Sequence, residues 1–362
     1  MLSIEYRGLS RGDIMINIVG QNRIKMKIVF QGLLSLCLLV VGVQSITGQQ
    51  SANQLEYSAL PDKIQDLDVR FVADLSYDDH ERARFDLILP KSTEPMGLLL
   101  YIHGGGFING DKDRVLGDYN LENIRSLLQK GVAVASINYS LLNTAGEDVG
   151  VMKCLLDAKR ALQYIRSQAA VYNIDKNRIV MSGGSAGAGA SLWVAMQDDM
   201  KEPNNPDPVL RESTRVSGIA IFQTQCSYDI EDRWINDVFP EYGIPWSMVT
   251  AVNAAGIAQF YGVNTLEEYN TEEIKQYRDR VDMMDFLSAD DPEFWAENIL
   301  TAVAPPITPD VIYHHAYHVK ALKEQADKVG LSNVCYYGKD PVLYEDPSGE
   351  DYVDFVLRKL GN

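Results

Sequence analysis

Short apolar runs alternate with stretches of helical periodicity over most of the chain. Residues 68–74 and 84–89 (RFDLIL) read as paired edge strands. Residues 97–102 (GLLLYI) form a buried-strand run. Residues 118–130 place Leu121, Ile124, Leu127 and Leu128 on one helical face and stop at Gly131. Residues 132–141 (VAVASINYSL) are continuously apolar and β-branched, as a central parallel strand requires. A helix with Leu155, Ala158, Leu162 and Ile165 on its apolar face is predicted over 152–170. A strand follows at Ile179, Val180 and Met181, then a helix over 188–200 and a strand over 216–222. Residues 292–299 and 333–337 (NVCYY) are expected to be the last two strands, with a helix at 317–329 between them. An amphipathic helix over 350–360 closes the chain. This alternation selects an α/β fold with a doubly wound, mostly parallel sheet. Between residue 227 and about residue 285 the rhythm breaks, and Trp234, Phe239, Tyr242, Trp246, Phe260 and Tyr261 cluster in an insertion.

Two glycine clusters stand at the ends of predicted strands. The first is Gly183-Gly184-Ser185-Ala186-Gly187, between a strand and a helix. This is G-x-S-x-G in a strand–turn–helix context, where a sharp turn exposes a strained serine and needs small neighbours two residues either side. The helix N-terminus beneath Ser185 favours a developing anion. A dinucleotide or phosphate loop fits worse, because neither G-x-G-x-x-G nor G-K-[ST] occurs. The second cluster is His103-Gly104-Gly105-Gly106-Phe107. A loop of three glycines exposes backbone N–H groups without a Cβ to block a ligand. Such donors stabilise a tetrahedral oxyanion by about 3–4 kcal/mol each.

An oxyanion loop followed by a nucleophile elbow is the order found in α/β-hydrolases. On these two motifs the chain resembles the α/β-hydrolase esterases and lipases, in particular the hormone-sensitive-lipase-like and feruloyl or acetyl xylan esterase branches. The resemblance spans roughly residues 68–217. It implies that Ser185 is the nucleophile, that the amides of Gly105, Gly106 and Ala186 form the oxyanion hole, and that His103 is structural. It also makes the aromatic insertion at about 227–285 similar to a lid over the acyl site; extra packing surface is the alternative.

A serine hydrolase needs a base and an acid that orients it. In the resembling family the acid follows the next-to-last strand and the histidine follows the last. Here residues 338–349 contain no histidine, and the usual acidic loop after Pro292 is missing. Of five histidines, His80 lies in an early charged turn and His103 in the oxyanion loop. His314, His315 and His318 stand where a helix should leave the C-terminal edge of the sheet, the edge that carries Ser185. His315 is the candidate base, with Asp310, Asp290, Asp291 or Glu297 as candidates to orient it; helix capping or packing is the structural alternative for these histidines. His314 and His318 are spaced i,i+4, but no third ligand at zinc spacing and no HExxH occur, so no metal is expected.

The formal net charge of −17 and pI of about 4.7 argue against nucleic acid or an anionic membrane surface as partner. Lys25 and Lys27 precede an apolar run over 28–43, followed by small or polar residues including Ser45, Thr47 and Gly48. This reads as a secretory signal. The expected organisation is therefore a signal region at 1–48 with a possible over-extended start before Met26, a tether at 49–66 and a hydrolase domain at 67–362. Cys154, Cys226 and Cys335 remain after signal removal and are expected to be buried thiols. The function expected is a secreted or periplasmic serine hydrolase that cleaves small-molecule or glycan-linked acyl esters through an acyl-Ser185 intermediate. It needs no cofactor and has no stable membrane insertion after signal cleavage. The alternative is a degenerate hydrolase fold, lacking a complete triad, kept as a binding module.

Overall fold

A computed structural model describes residues 55–142, 147–299, 308–339 and 342–362. The strands are β1 (Val69–Ser76), β2 (Arg84–Pro90), β3 (Met96–Ile102), β4 (Ala133–Ile137), β5 (Ile174–Gly184), β6 (Gly218–Phe222), β7 (Phe294–Asn298), β8 (Asn333–Lys339) and β9 (Val342–Tyr344). They form one sheet in the order β1-β2-β4-β3-β5-β6-β7-β8-β9. β4, β3, β5, β6, β7 and β8 run parallel, and antiparallel pairs close both edges. Successive side chains of a strand point to opposite faces. Leu98, Leu100 and Ile102 of β3 accordingly join one apolar layer with Met181, Ile219 and Ala296, whereas Leu99 and Tyr101 join the other with Val180, Ala220 and Trp295. The first layer is covered by α1 (Met152–Ser167), α2 (Ala186–Ala195) and α3 (Ala316–Val329); the second is covered by the helices Leu121–Gln129 and Tyr352–Leu360. The doubly wound α/β fold is therefore present.

Several boundaries differ from the sequence reading for identifiable reasons. β2 lies between β1 and β4 and is not at an edge. The apolar run at 132–141 is a strand only to Ile137. Beyond it, the buried Tyr139 donates its hydroxyl to the carbonyl of His103 at 2.9 Å, so the run's end braces the glycine loop. The short antiparallel β9 lies beyond the two strands expected at the end of the sheet. In the stretch expected to be a tether, residues 55–66 pack on the domain: Ser58 bridges Phe71, and Ile64 is fully buried. The signal-like region 1–48 lies outside the described residues. Among the described residues no helix is long and apolar enough to cross a membrane.

Candidate active site

Ser185 sits at the junction of β5 and α2 with φ 54° and ψ −120°. A non-glycine residue held there stores roughly 1–3 kcal/mol of strain, and the surroundings fix it. Its amide donates to the Phe222 carbonyl of β6 at 3.0 Å, and its carbonyl accepts from the Gly189 amide at 3.0 Å. The two flanking glycines are required by close approach. A Cβ on Gly183 would lie 2.5 Å from the Ile102 carbonyl oxygen, and one on Gly187 would overlap that same oxygen. Gly184 has open space, its nearest neighbour being the Phe222 oxygen at 3.9 Å.

The loop after β3 faces this turn. A Cβ on Gly104 would meet the Gly184 oxygen at 2.6 Å and the Ser185 Cβ at 3.3 Å. Gly105 and Gly106 have φ of 120° and 61°. The amides of Gly105, Gly106 and Ala186 donate to no other group among the described residues. The loop is locked from beneath: the Gly105 carbonyl accepts from the amides of Ile108 and Asn109, each at 3.1 Å, and Arg114 donates to the Gly104 carbonyl at 3.2 Å. The His103 ring stacks on Tyr139 at 4.3 Å, and its Nδ1 lies 2.8 Å from the Gly104 oxygen. Burial lowers the His103 pKa to about 4, so the ring is neutral at pH 7.

The imidazole that reaches Ser185 belongs to His314, with Nε2 2.8 Å from the serine Oγ. Its Nδ1 lies 3.1 Å from Asp310 Oδ1. Both residues sit on one short helix, Pro309–His314, whose proline occupies the first turn, where its missing N–H costs nothing. The carboxylate and the imidazole are thus one helical turn apart on the same face.

His315 does not face Ser185, contrary to the reading of the sequence. The chain breaks at His315 (φ −57°, ψ 140°) before α3 begins, which turns consecutive side chains in opposite directions. His315 is fully buried; its Nδ1 accepts from the Tyr317 amide at 3.1 Å as the N-cap of α3, and its Nε2 lies 3.3 Å from the Tyr242 hydroxyl. The same break separates His314 from His318. His318 is buried, with Nε2 2.8 Å from the Ile312 carbonyl and Nδ1 3.6 Å from the Cys226 sulfur. His80 lies 3.3 Å from Asp157. Of the other carboxylates considered, Asp290 and Asp291 bind Arg215 ahead of the start of β7, at the opposite edge from Ser185, and Glu297 faces Tyr119. No described cluster of three or more His, Cys, Asp and Glu residues could hold a metal ion.

Two residues not foreseen from the sequence hold the His314 turn. Gln225 Nε2 donates to the Tyr313 carbonyl at 2.6 Å, and Asn298 Nδ2 donates to the His315 carbonyl at 3.0 Å. Asn298 also exchanges two hydrogen bonds with the Thr224 backbone. The carbonyls flanking His314 are thus tied to the ends of β6 and β7. Asp310 carried a readable signal: a helix start at Thr308-Pro309 with a carboxylate four residues before a histidine.

A cavity of about 950 Å³ opens over Ser185, His314 and the glycine loop, within the range of small-molecule sites. One wing is aromatic. Phe107, Tyr228 and Phe260 pack edge to face with ring centroids 5.2–6.1 Å apart, and Trp234 stands 5.7 Å from Tyr313. The expected insertion supplies Tyr228, Trp234 and Phe260 to this wall. Its helix Trp246–Phe260 kinks at Asn253, whose side chain lines the cavity and donates to the Tyr313 hydroxyl at 3.3 Å. The lining also includes Arg114, Asn120 and Gln223, set among Tyr101, Tyr119 and Phe222.

A strained serine against an imidazole, beside a loop of unpartnered amides on a doubly wound sheet, defines the α/β-hydrolase class. The model of the BD-FAE family matches residues 85–298, more than half of the chain, and the chain belongs to that esterase family. A probable isoprenylcysteine alpha-carbonyl methylesterase of Arabidopsis thaliana is 28% identical over 144 residues, which cover 39% of this chain and 28% of that protein. Gut esterase 1 of Caenorhabditis elegans is 30% identical over 133 residues, 35% of this chain and 23% of that protein. The matched segment thus spans less than a third of either relative. Among solved structures, a truncated form of carbohydrate esterase from gut microbiota superposes with a TM-score of 0.57 at 18% identity. That alignment covers 86% of this chain and 99% of the other. An acetyl ester-xyloside bifunctional hydrolase from Caldicellulosiruptor lactoaceticus gives 0.54 at 15% identity, over 80% and 96% of the two chains. At these identities the likeness concerns the fold.

Proposed function

We propose that this protein is an exported carboxylic ester hydrolase working through an acyl-Ser185 intermediate, with His314 as the base. The observation that carries the reading is the 2.8 Å contact between Ser185 Oγ and His314 Nε2. With Asp310 accepting from Nδ1–H, the neutral ring keeps a lone pair at Nε2 to take the serine proton. Oγ then attacks the ester carbonyl, and the oxyanion forms against the amides of Gly105, Gly106 and Ala186. Collapse of the intermediate passes the proton from Nε2 to the departing alcohol, and water repeats the sequence to free the acid. The Ser185–His314 and His314–Asp310 contacts favour this reading over the alternative, a hydrolase fold lacking a complete triad and kept as a binding module.

The substrate proposed is a small-molecule or glycan-linked acyl ester. A largely aromatic cavity that also holds Arg114, Asn120 and Gln223 suits an ester with both an apolar and a polar part. The name of one relative, a methylesterase, agrees with a small alkyl group. Export is proposed from the basic flank and apolar run at residues 25–43. The test is labelling with a fluorophosphonate probe. Stoichiometric labelling is expected for the wild type, none for Ser185→Ala, and strongly slowed labelling for His314→Ala but not for His315→Ala. A folded wild type that takes up no probe would end the reading.

A further inference from the structure

We propose that Arg82 and Arg114 are positioning residues for the oxyanion hole: their guanidiniums converge on the Gly104 carbonyl, one through the His103 ring and one directly, and so aim and polarise the peptide whose N–H belongs to Gly105. This rests on the hydrolase reading above and assigns a role to two charges that the proton relay does not use.

A trans peptide points its carbonyl and its N–H in opposite directions. Whatever grips the Gly104 oxygen therefore sets the direction of the Gly105 amide, and Gly105 lines the cavity. Two donors meet at that oxygen. Arg114 Nη1 donates to it at 3.2 Å while Nη2 donates to Asn109 Oδ1 at 3.0 Å, so both tips of the planar fork are held. His103 Nδ1 lies 2.8 Å from the same oxygen. Behind the ring, Arg82 Nη2 lies 3.4 Å from His103 Nε2 and donates to the Gly110 carbonyl at 3.0 Å, and its Nε donates to the Tyr139 carbonyl at 2.8 Å. A guanidinium only donates and a carbonyl only accepts, which sets the neutral ring with its proton on Nδ1. The hydrogen bonds therefore run one way, from Arg82 through His103 to the Gly104 carbonyl, with the Gly105 N–H at the far end.

Two features set this pair apart from ordinary loop bracing. First, none of these bonds goes to a carboxylate, and neither arginine forms an ion pair among the described residues, although Arg82 is half-buried. Asp111 feels the Arg82 charge, but its oxygens accept from Asn138 and from the Asp113 amide. Arg233 and Arg278, by contrast, are each met by three carboxylates. Second, the neighbouring peptide is held without charge: the Gly105 carbonyl accepts from the amides of Ile108 and Asn109, so the Gly106 N–H serves as an internal control. Hydrogen bonds in a chain polarise one another, most of all with a cation at the head. A dipole strengthened in this way stabilises the charge that develops on the oxyanion more than it stabilises the bound ester.

The experiment compares Arg114→Gln, which keeps N–H donors without the charge, with Arg114→Lys, which keeps the charge, in the full chain. Arg114 is exposed, so both variants should fold, and melting temperatures check this. Hydrolysis of 4-nitrophenyl acetate is measured beside inhibition by a trifluoromethyl ketone, which adds to Ser185 as an oxyanion. Removing an oxyanion donor outright costs about 10²–10³ in kcat, so loss of its polarisation in Arg114→Gln should cost about tenfold. The ketone should weaken by a similar factor, with KM changed by no more than about twofold. Arg114→Lys should recover most of both losses, and Arg82→Lys should likewise outperform Arg82→Gln. A loss confined to KM, or equal losses in the Lys and Gln variants, would overturn the role. NMR of 15N-glycine-labelled protein reads the same relay without turnover. The Gly105 amide proton should move upfield in Arg114→Gln, further than that of Gly106, and return in Arg114→Lys. A wild type that neither hydrolyses the ester nor binds the ketone counts against the hydrolase reading alone; the spectrum then decides, and an unmoved Gly105 proton overturns the proposal.

Discussion

Asp310 and His314 meet at 3.1 Å across a single helical turn, and the Asp310 side chain is 75% exposed. A triad carboxylate enclosed by protein holds its histidine rigidly, and its amide replacement in a well-studied protease costs about 10⁴ in kcat. An exposed partner competes with water and orients the ring less firmly. Asp310→Asn is therefore expected to lower kcat by roughly 10–10², judged against the enclosed case. Steady-state hydrolysis of 4-nitrophenyl acetate measures this, and a loss near 10⁴ would contradict the argument from exposure.

The two adjacent histidines separate activity from stability. His314→Ala removes the proton acceptor and should cost at least about 10⁴ in kcat, as loss of the base does elsewhere. His315→Ala should keep kcat within a few-fold but lower unfolding stability by about 0.5–2 kcal/mol, because the N-cap of α3 is lost. Paired kinetics and urea unfolding of both variants check the assignment. The reverse pattern would place the base at 315.

Two glycines of the elbow make a steric test. Gly187→Ala drives a Cβ into the Ile102 carbonyl, and the rigid strand cannot retreat. Destabilisation of about 3 kcal/mol or more is expected. Gly184→Ala meets open space and should be neutral within about 1 kcal/mol. Melting temperatures of the two proteins decide the matter.

Gln225 anchors the turn that carries His314 without reaching Ser185. Misplacing a catalytic group by about 1 Å can cost 10² in rate. Gln225→Ala should accordingly lower kcat by about 10–10² with KM little changed. A change confined to KM would remove the positioning role.

Acid should destabilise the fold through three neutral histidines. Burial lowers His103 and His315 to about 4 and His318 to about 3. In the unfolded chain these groups titrate near 6.5. Below that value the unfolded state takes up protons that the folded state refuses, so stability falls as pH drops from 6.5 towards 4. On the order of 2–3 kcal/mol should be lost between pH 6.5 and 5.5. The buried carboxylates Asp229 and Asp282 have raised pKa values and act in the opposite sense at lower pH. Urea midpoints at the two pH values measure the slope. His315→Asn, which keeps a capping oxygen, should flatten it by about a third.

The parts legible in the sequence were those whose constraints are local. The Gly183–Gly187 spacing follows from a turn that cannot hold a Cβ beside the Ile102 carbonyl, and the apolar strand runs follow from burial on both faces. The position of the base depended on long-range contacts. Whether residue 314 or 315 faces the serine is decided by the helix break at His315, which Asn298 and Gln225 fix from sequence positions far away. Residues 132–141 differ for a related reason: Tyr139 is buried because its ring and hydroxyl support the His103 loop, not because the strand continues.

Placing acid and base together on Pro309–His314 leaves β8, β9 and the terminal helix Tyr352–Leu360 with no reacting atom to deliver. The segment between β9 and the terminal helix is thereby released from chemical duty: a substitution at Asp346, which accepts from the Cys335 amide at 3.3 Å, acts on the stability of the sheet's end and leaves the proton relay untouched.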